Sequence, residues 1–206
     1  EQGRATRASV RRSLDCLLGT NGSEVGLLLA ASALGRGEAL SPAQLLWINL
    51  VTDVLPGIAL ALEPAEADLL SRNPQPRDLP IVGSGELRHL ARDGAMIGGA
   101  ALAAGLAAAV TDGGDQRQSQ SIMFASLVGS QLLHALNCRS CGVPREGQPV
   151  SALTAVIGCS LAVQGAAFVL PVTRRLLGLT SMGPTAVAAT LGSIVASFLS
   201  IGAMRR

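Results

Sequence analysis

Two acidic residues lie inside long apolar stretches of this sequence, where a charge needs a specific reason. Glu24 follows Asn21 by three positions, and Asp53 follows Asn49 by four, with Thr52 between them. Residues three or four apart share one face of a helix, so each acid would stand beside neutral oxygen ligands. An acid in the middle of a bilayer costs about 2.5–3.5 kcal/mol on insertion scales, and a bound cation would offset that cost. The spacing therefore predicts an intramembrane cation site. The alternative is that each acid only bonds a neighbouring helix.

Pro56 and Gly57 interrupt the second apolar stretch just after its acid. A proline removes one helical hydrogen bond and crowds the carbonyl four residues earlier, which here belongs to Thr52. A carbonyl freed inside a membrane needs a partner, and broken helices recur in the ion sites of transporters. Alone, the proline would indicate a packing kink. Beside Asp53 it favours a cation site.

The composition places these residues in a membrane. The 206 residues are 49% hydrophobic and 15% charged, with a mean hydropathy of +0.43, whereas soluble domains carry about 25% charged residues. Six runs approach the roughly 20 residues that a helix needs to cross a bilayer. They lie at Leu14–Leu34, Pro42–Leu62, Leu90–Val110, Ser121–Leu136 (which needs Gln118–Cys138 to span), Ala152–Val172 and Thr185–Met204.

We therefore predict an all-α membrane protein, a bundle of six transmembrane helices that forms a single domain over residues 1–206. Residues 1–62 would hold the helix pair of the ion site, 63–89 a cytoplasmic loop, and 90–206 four supporting helices. Four prolines between Glu63 and Arg88 predict that this loop is irregular. Asp112–Gln120 is expected to form a short outside loop.

The arginines predict the orientation of the bundle. All sixteen basic residues are arginine, and with a cytoplasmic N-terminus twelve of them lie inside. Cytoplasmic loops of membrane proteins carry such an excess, so both termini are predicted to be cytoplasmic. Only four arginines lie outside, and the pair Arg174–Arg175 among them fits this arrangement poorly.

The remaining metal-binding residue types give weak signals. Cys138 and Cys141 form a CxxC motif without a second pair, so a bystander role is favoured over a zinc site. His89 and His134 have no partner in a ligand pattern, and Trp47 is expected to pack. The sequence holds no Walker-type phosphate loop.

Three stretches resemble the membrane helices of type II P-type ATPases, which are ATP-driven cation pumps. LSPAQLLWINLVTDVLPGIALALEP, from Leu40 to Pro64, resembles their sixth helix. GTNGSEV resembles their fifth helix, and MFASLVGSQLLHALNCRS their eighth. The similarity covers nearly the whole chain as helices five to ten. It is most specific around NLVTD and weak in the last two spans.

The resemblance implies which residues bind the cation. The matching positions are Asn21, Glu24, Asn49, Thr52, Asp53 and Gln131. Such hard oxygen ligands suit Ca²⁺ and, less well, Mg²⁺ or Mn²⁺, whereas the thiolates of a copper or zinc pump are missing. Some calcium pumps carry glutamate where this chain has Gln131, so the smaller number of acids favours one divalent ion per cycle.

The resemblance also implies that the chain does not work alone. The family's phosphorylated-aspartate motif (DKTG), its nucleotide-binding and actuator domains and its first four helices are not in this sequence. We therefore expect no catalytic residue here and no ATP hydrolysis by the chain itself, since ATP and Mg²⁺ would act through other domains. A piece of a longer pump, or a degenerate reading frame, is expected.

The most economical interpretation is the membrane portion of a calcium-type pump in a bacterial plasma membrane. Its partners would be the lipid bilayer and the remaining pump domains, with no nucleic acid. Two alternatives stay open: a stand-alone cation channel or secondary transporter that uses the two acids, and a non-transporting membrane scaffold.

Overall fold

A computed structural model describes residues 2–61, 83–111, 115–138 and 152–204. All regular secondary structure in these ranges is helical, which confirms the all-α prediction for the part of the chain described. The elements are α1 (Gln2–Ala33), α2 (Pro42–Ile48), a π-helical turn (Asn49–Val54), α3 (Leu55–Ala61), α4 (Ser84–Thr111), α5 (Gln116–Asn137), α6 (Ala152–Val169), α7 (Pro171–Leu177) and α8 (Pro184–Met204).

Several of these helices have the length and composition of membrane spans. Among the described residues, three segments qualify: Pro42–Leu60, Gly85–Val110 and Pro184–Met204. A fourth candidate joins Leu153–Val169 to Pro171–Leu177 across a bend of 88°. The long helices α1 and α5 contain more polar residues. The apolar helices are those of an integral membrane protein, while the arrangement of six crossings stays a prediction.

Helix α4 lies at the centre of the packing, where it contacts α1, α5 and α8. Two glycines four residues apart allow its backbone to approach α1. A Cβ atom at Gly94 would lie 3.1 Å from the Gly19 carbonyl oxygen, and one at Gly98 would lie 2.7 Å from the Ser23 carbonyl oxygen. Small residues at such positions let helices pack closely in membranes. This contact sets where the α1 segment that carries Glu24 lies along α4.

Local N-caps set the starts of α4 and α5, which both lie before the predicted starts of these spans. Helix α4 begins at Ser84 rather than Leu90, since the Gly83 N–H donates to the Glu86 carboxylate at 2.7 Å. The last residues assigned to the 63–89 loop are therefore helical. Helix α5 begins at Gln116, where the Asp115 side chain accepts the Arg117 N–H at 3.0 Å. Such N-caps satisfy the free donors of a first turn, and this one shortens the predicted outside loop.

Parts of some predictions fall outside the described residues. These are residue 62 at the end of the second predicted span, residues 63–82 of the predicted loop with all four of its prolines, residues 112–114, and Cys141 of the CxxC motif. Cys138, its other member, is buried, and its Sγ lies 3.4 Å from Nε2 of His134.

The fifth predicted span does not run straight to Val172. Helix α6 ends at Val169, and α7 turns away by 88°. Pro171 has no N–H to donate to the Ala167 carbonyl, so the helix cannot continue normally. The Thr173 hydroxyl takes over that carbonyl at 3.1 Å and lies 3.0 Å from the Leu170 carbonyl. The turn is thus stabilised by side-chain hydrogen bonding at the end of α6.

Candidate cation site

The second span widens near its acid and remains helical. Residues Asn49–Val54 form a π-helical turn, and Pro56 is the second residue of α3. The Thr52 hydroxyl donates to the Ile48 carbonyl at 2.9 Å. Pro56 has no N–H to donate to the Thr52 carbonyl, as predicted. The helix is distorted before the proline, where it widens into the π-helical turn. Single π-helical turns are rare in proteins, and many of those that occur lie at functional sites.

Glu24 and Gln131 meet where α1 packs against α5. Their side chains are nearly inaccessible, at 6% and 1% exposure. The Gln131 Nε2 group donates to Glu24 Oε1 at 3.0 Å. It also lies 3.2 Å from both the Thr20 carbonyl oxygen and the Ser23 hydroxyl. The two helices are therefore joined at the acid itself.

This arrangement fixes the orientation of the Gln131 amide. A backbone carbonyl and a carboxylate oxygen can only accept, so the nitrogen of the amide must face them. The amide oxygen then points elsewhere. Oε1 of Gln131 is buried and has no hydrogen-bond partner among the residues that the structure describes. It is a neutral oxygen with unused lone pairs, which is what a hard cation binds.

Asp53 projects from the π-helical turn toward α1. Its Oδ1 accepts from the Thr52 hydroxyl at 3.2 Å and from the Thr20 hydroxyl at 3.3 Å. The Thr20 hydroxyl also lies 3.0 Å from the Leu17 carbonyl oxygen, so one proton serves several acceptors. Thr20 thus contacts Asp53 through its side chain and Gln131 through its carbonyl. A continuous hydrogen-bond path joins the two acids.

The six predicted ligands fall into two groups. Glu24, Thr52 and Gln131 are buried, and Asp53 is half-buried. Asn21 and Asn49 are exposed in the described part of the chain, so no described helix covers their faces. The structure brings the first group together and leaves the two asparagines at its border.

Among the described residues, Glu24 and Asp53 are the acids that give the site its charge. The described residues contain no group of three or more His, Cys, Asp or Glu side chains that could hold a metal ion. A cation bound here would rely on amide, hydroxyl and carbonyl oxygens beside Glu24 and Asp53. That donor set is typical of calcium sites in proteins.

Sequence reasoning missed Thr20 and Ser23. Small hydroxyl residues in helices usually bond the carbonyls of the preceding turn, so they attract no attention. Both residues do so here, and both also contact the site. The available signal was spacing, because Thr20 precedes Glu24 by four positions and shares its face.

Trp47 also does more than pack. Its Nε1 group donates to Gln164 Oε1 at 2.8 Å, which ties α2 to α6. The hydrogen bond connects the helix before the π-helical turn to a neighbouring helix.

Comparison with known proteins identifies the family. The sequence model of the family described as "Cation transporting ATPase, C-terminus" matches residues 37–206. The chain belongs to this family. A segment of 100 residues is 40% identical to an endoplasmic reticulum calcium ATPase of Aspergillus fumigatus, covering 48% of this chain and 10% of that protein.

Two bacterial relatives extend the similarity. A calcium-transporting ATPase of Bacillus subtilis is 33% identical over 141 residues, covering 68% of this chain and 16% of that protein. Calcium-transporting ATPase 1 of Bacillus cereus is 31% identical over 155 residues, covering 68% and 17%. The chain thus spans a small part of the length of these relatives. The resemblance to the C-terminal membrane domain of a calcium-pump-like P-type ATPase is confirmed.

The family match begins after α1, which carries Glu24. Hydrogen bonds nevertheless join α1 to the matched region. Glu24 bonds Gln131 of α5, and Thr20 bonds Asp53 of the π-helical turn. The candidate site is therefore built across the boundary of the cation-transporting ATPase match.

Proposed function

We propose that this chain forms the membrane portion of an ATP-driven calcium pump and supplies most of its intramembrane cation site. The observation that carries the proposal is the hydrogen-bond path from Glu24 through Gln131 and Thr20 to Asp53. It holds two acids from separate helices, each costly to place in a membrane, beside an amide oxygen that has no hydrogen-bond partner in the described part of the chain. The three relatives named above are calcium ATPases, which favours Ca²⁺ as the ion.

The ligands in this proposal are Asn21, Glu24, Asn49, Thr52, Asp53 and Gln131. Ca²⁺ takes six to eight oxygens in flexible geometry, which a set of amides, hydroxyls and carboxylates from three helices can satisfy. Mg²⁺ demands a tighter octahedron, so a site of this flexibility disfavours it. Mn²⁺ is the competitor to test beside it.

A single divalent ion per cycle suits this inventory of charges. Two divalent ions held close together repel strongly in a low-dielectric site, and carboxylates offset that repulsion. Here Gln131 contributes an oxygen without a charge, which leaves Glu24 and Asp53 as the two acids.

The proposed topology has six crossings with both termini in the cytoplasm of a bacterial cell, in its plasma membrane. The arginine distribution supports this arrangement. ATP and Mg²⁺ would act in other domains of the pump, and the arginine-rich start of α1 would lead toward them. Movement of α1 would then shift Glu24 relative to Asp53, which couples phosphorylation to the site.

A chimaera tests the proposal. The corresponding C-terminal part of the Bacillus subtilis relative is replaced by this chain, and ATP-dependent uptake of radioactive calcium is measured in inverted vesicles. Transport is expected, and Asp53→Asn is expected to abolish both uptake and calcium-dependent phosphorylation while the protein remains folded. Asp115→Asn makes the same chemical change at an exposed helix cap and should leave uptake intact.

Two results would contradict the proposal. Normal uptake by the Asp53→Asn chimaera would make Asp53 a structural acid only. Calcium flux through liposomes that contain this chain alone, without ATP, would instead favour a channel.

A further inference from the structure

Helix α7 lies across the end of α6 and is held in that position. The Leu177 carbonyl accepts from Gln44 Nε2 at 3.0 Å, which ties α7 to α2. Just after α7, the Thr180 N–H donates to the Ser121 hydroxyl at 3.0 Å, which ties the chain to α5. Gly178, with φ of 64°, closes the helix in the left-handed conformation. The orientation of α7 is therefore part of the packed structure.

The exposed surface of this helix, together with Val169 at the end of α6, combines large apolar side chains with two arginines. Val169 is 77% exposed, Val172 78% and Leu176 68%. Arg175 is exposed and Arg174 is half-buried. In a loop exposed to water, large apolar side chains of this kind would contribute no stability. In an integral membrane protein, a helix turned by 88° from a span can place them among the upper acyl chains.

The arginines then lie at the height of the lipid headgroups. Long basic side chains beside apolar surface extend their charge toward the membrane–water boundary. The planar guanidinium group binds phosphate oxygens in pairs. We infer that α7 is an interfacial helix whose Arg174 and Arg175 bind the phosphate groups of anionic phospholipids.

The contacts of α7 show at which end of the bundle it lies. Gln116, at the start of α5, donates to the Arg36 carbonyl, and α7 is tied to the same ends of α2 and α5. Helix α7 therefore lies at the end of the bundle that holds the connection between α1 and α2. An anionic lipid would neutralise the two arginines there, which accounts for their departure from the positive-inside pattern. The inference goes beyond the proposed transport function and does not depend on it.

Lipid binding to the purified chain tests the inference. The chain in detergent is titrated with phosphatidylglycerol or phosphatidylcholine of the same acyl chains, and bound lipids are counted by native mass spectrometry. The double variant Arg174→Gln/Arg175→Gln is expected to lose phosphatidylglycerol affinity by about 30-fold, from about fivefold per arginine. Its phosphatidylcholine binding should not change.

The matched control removes two arginines from the same end of the bundle. Arg36→Gln/Arg117→Gln should retain phosphatidylglycerol binding, and an equal loss in both double variants would reduce the effect to net charge and overturn the inference. Inorganic phosphate at millimolar concentration should not displace the lipid. Displacement would assign the arginines to a free anion, and a lipid-independent dimer would assign the face to a second copy. Either result would overturn the inference.

A second measurement leaves both arginines in place. In a Trp47→Phe background with native helicity by circular dichroism, Leu176→Trp provides one fluorescent probe on α7. In phosphatidylglycerol nanodiscs, lipids brominated near the top of the acyl chain should quench it strongly, and aqueous iodide should quench it weakly. The reverse pattern would place α7 in water and refute an interfacial helix.

Discussion

Changing Gln131 to glutamate would replace a hydrogen bond at the centre of the site by a contact between two carboxylates. In the native chain, Gln131 Nε2 lies 3.0 Å from Glu24 Oε1. Glutamate has nearly the same shape, so an oxygen would occupy that place. Two like charges at this separation repel by about 5 kcal/mol at an effective dielectric constant of about 20. Protonating a solvent-exposed glutamate at neutral pH costs about 4 kcal/mol, which is less than this repulsion, so the pair is expected to share a proton.

A divalent cation would remove most of this penalty. In the ion-free state, Gln131→Glu is expected to lower the stability of the chain by no more than about 4 kcal/mol. Calcium bound between the two carboxylates should restore it, with release of the shared proton. The variant should therefore show a larger calcium-induced rise in melting temperature than the native chain. Gln118→Glu, the same change near the start of α5, should show no such rise.

Equilibrium binding of radioactive calcium completes the test. In the intact pump or the chimaera, the native site should bind one calcium ion per phosphoenzyme site. A ratio near two would refute the single-ion argument, because two acids would then suffice for two ions. The opposite outcome is a Gln131→Glu variant that matches the native chain in both its ion-free stability and its response to calcium. That result would show that Gln131 and Glu24 do not share a site.

Three further predictions concern the parts that support the site. Thr20→Val should lower calcium affinity about fivefold, the effect of one hydrogen bond of about 1 kcal/mol, while Thr20→Ser should retain it; equal affinities in radioactive-calcium binding would contradict this role. Gly98→Ala, whose Cβ would lie 2.7 Å from an α1 carbonyl oxygen, should destabilise the chain in denaturant titrations by about 1–3 kcal/mol. Gly99→Ala should not, since its Cβ would meet no described atom beyond its own stretch of helix within 4 Å. In a chain without native cysteines, Gly113→Cys should be labelled from outside and Asn73→Cys from inside, and the opposite result would overturn the topology.

The two acids could be predicted because their cost in a membrane is high. A glutamate and an aspartate inside apolar runs need partners, and that requirement is independent of the details of packing. Most of the helices were predictable for a similar reason, since apolar length alone indicates them. Their ends were less predictable, because caps such as the Glu86 carboxylate on the Gly83 N–H depend on single residues.

The two irregular elements could not be derived from composition. Pro56 predicts one lost hydrogen bond, but several backbone rearrangements accommodate that loss, and the chain adopts the π-helical turn before it. The run from Ala152 to Val172 contains no charged residue and is mostly apolar, so it indicates one straight span. Its 88° bend depends on Pro171 and on the Thr173 hydroxyl that satisfies the end of α6.

The position of Glu24 on α1 explains why spacing could indicate residues for the candidate site but not how they are arranged. At 3.6 residues per turn, Thr20 lies about 40° to one side of Glu24 and Asn21 about 60° to the other. The Thr20 side is buried, and the Asn21 side is exposed in the described part of the chain. Glu24 therefore stands at the edge between them, with Oε1 held by Gln131 from the buried side. Its second carboxylate oxygen can serve a cation on the side of Asn21, so one acid can both join α1 to α5 and take part in binding.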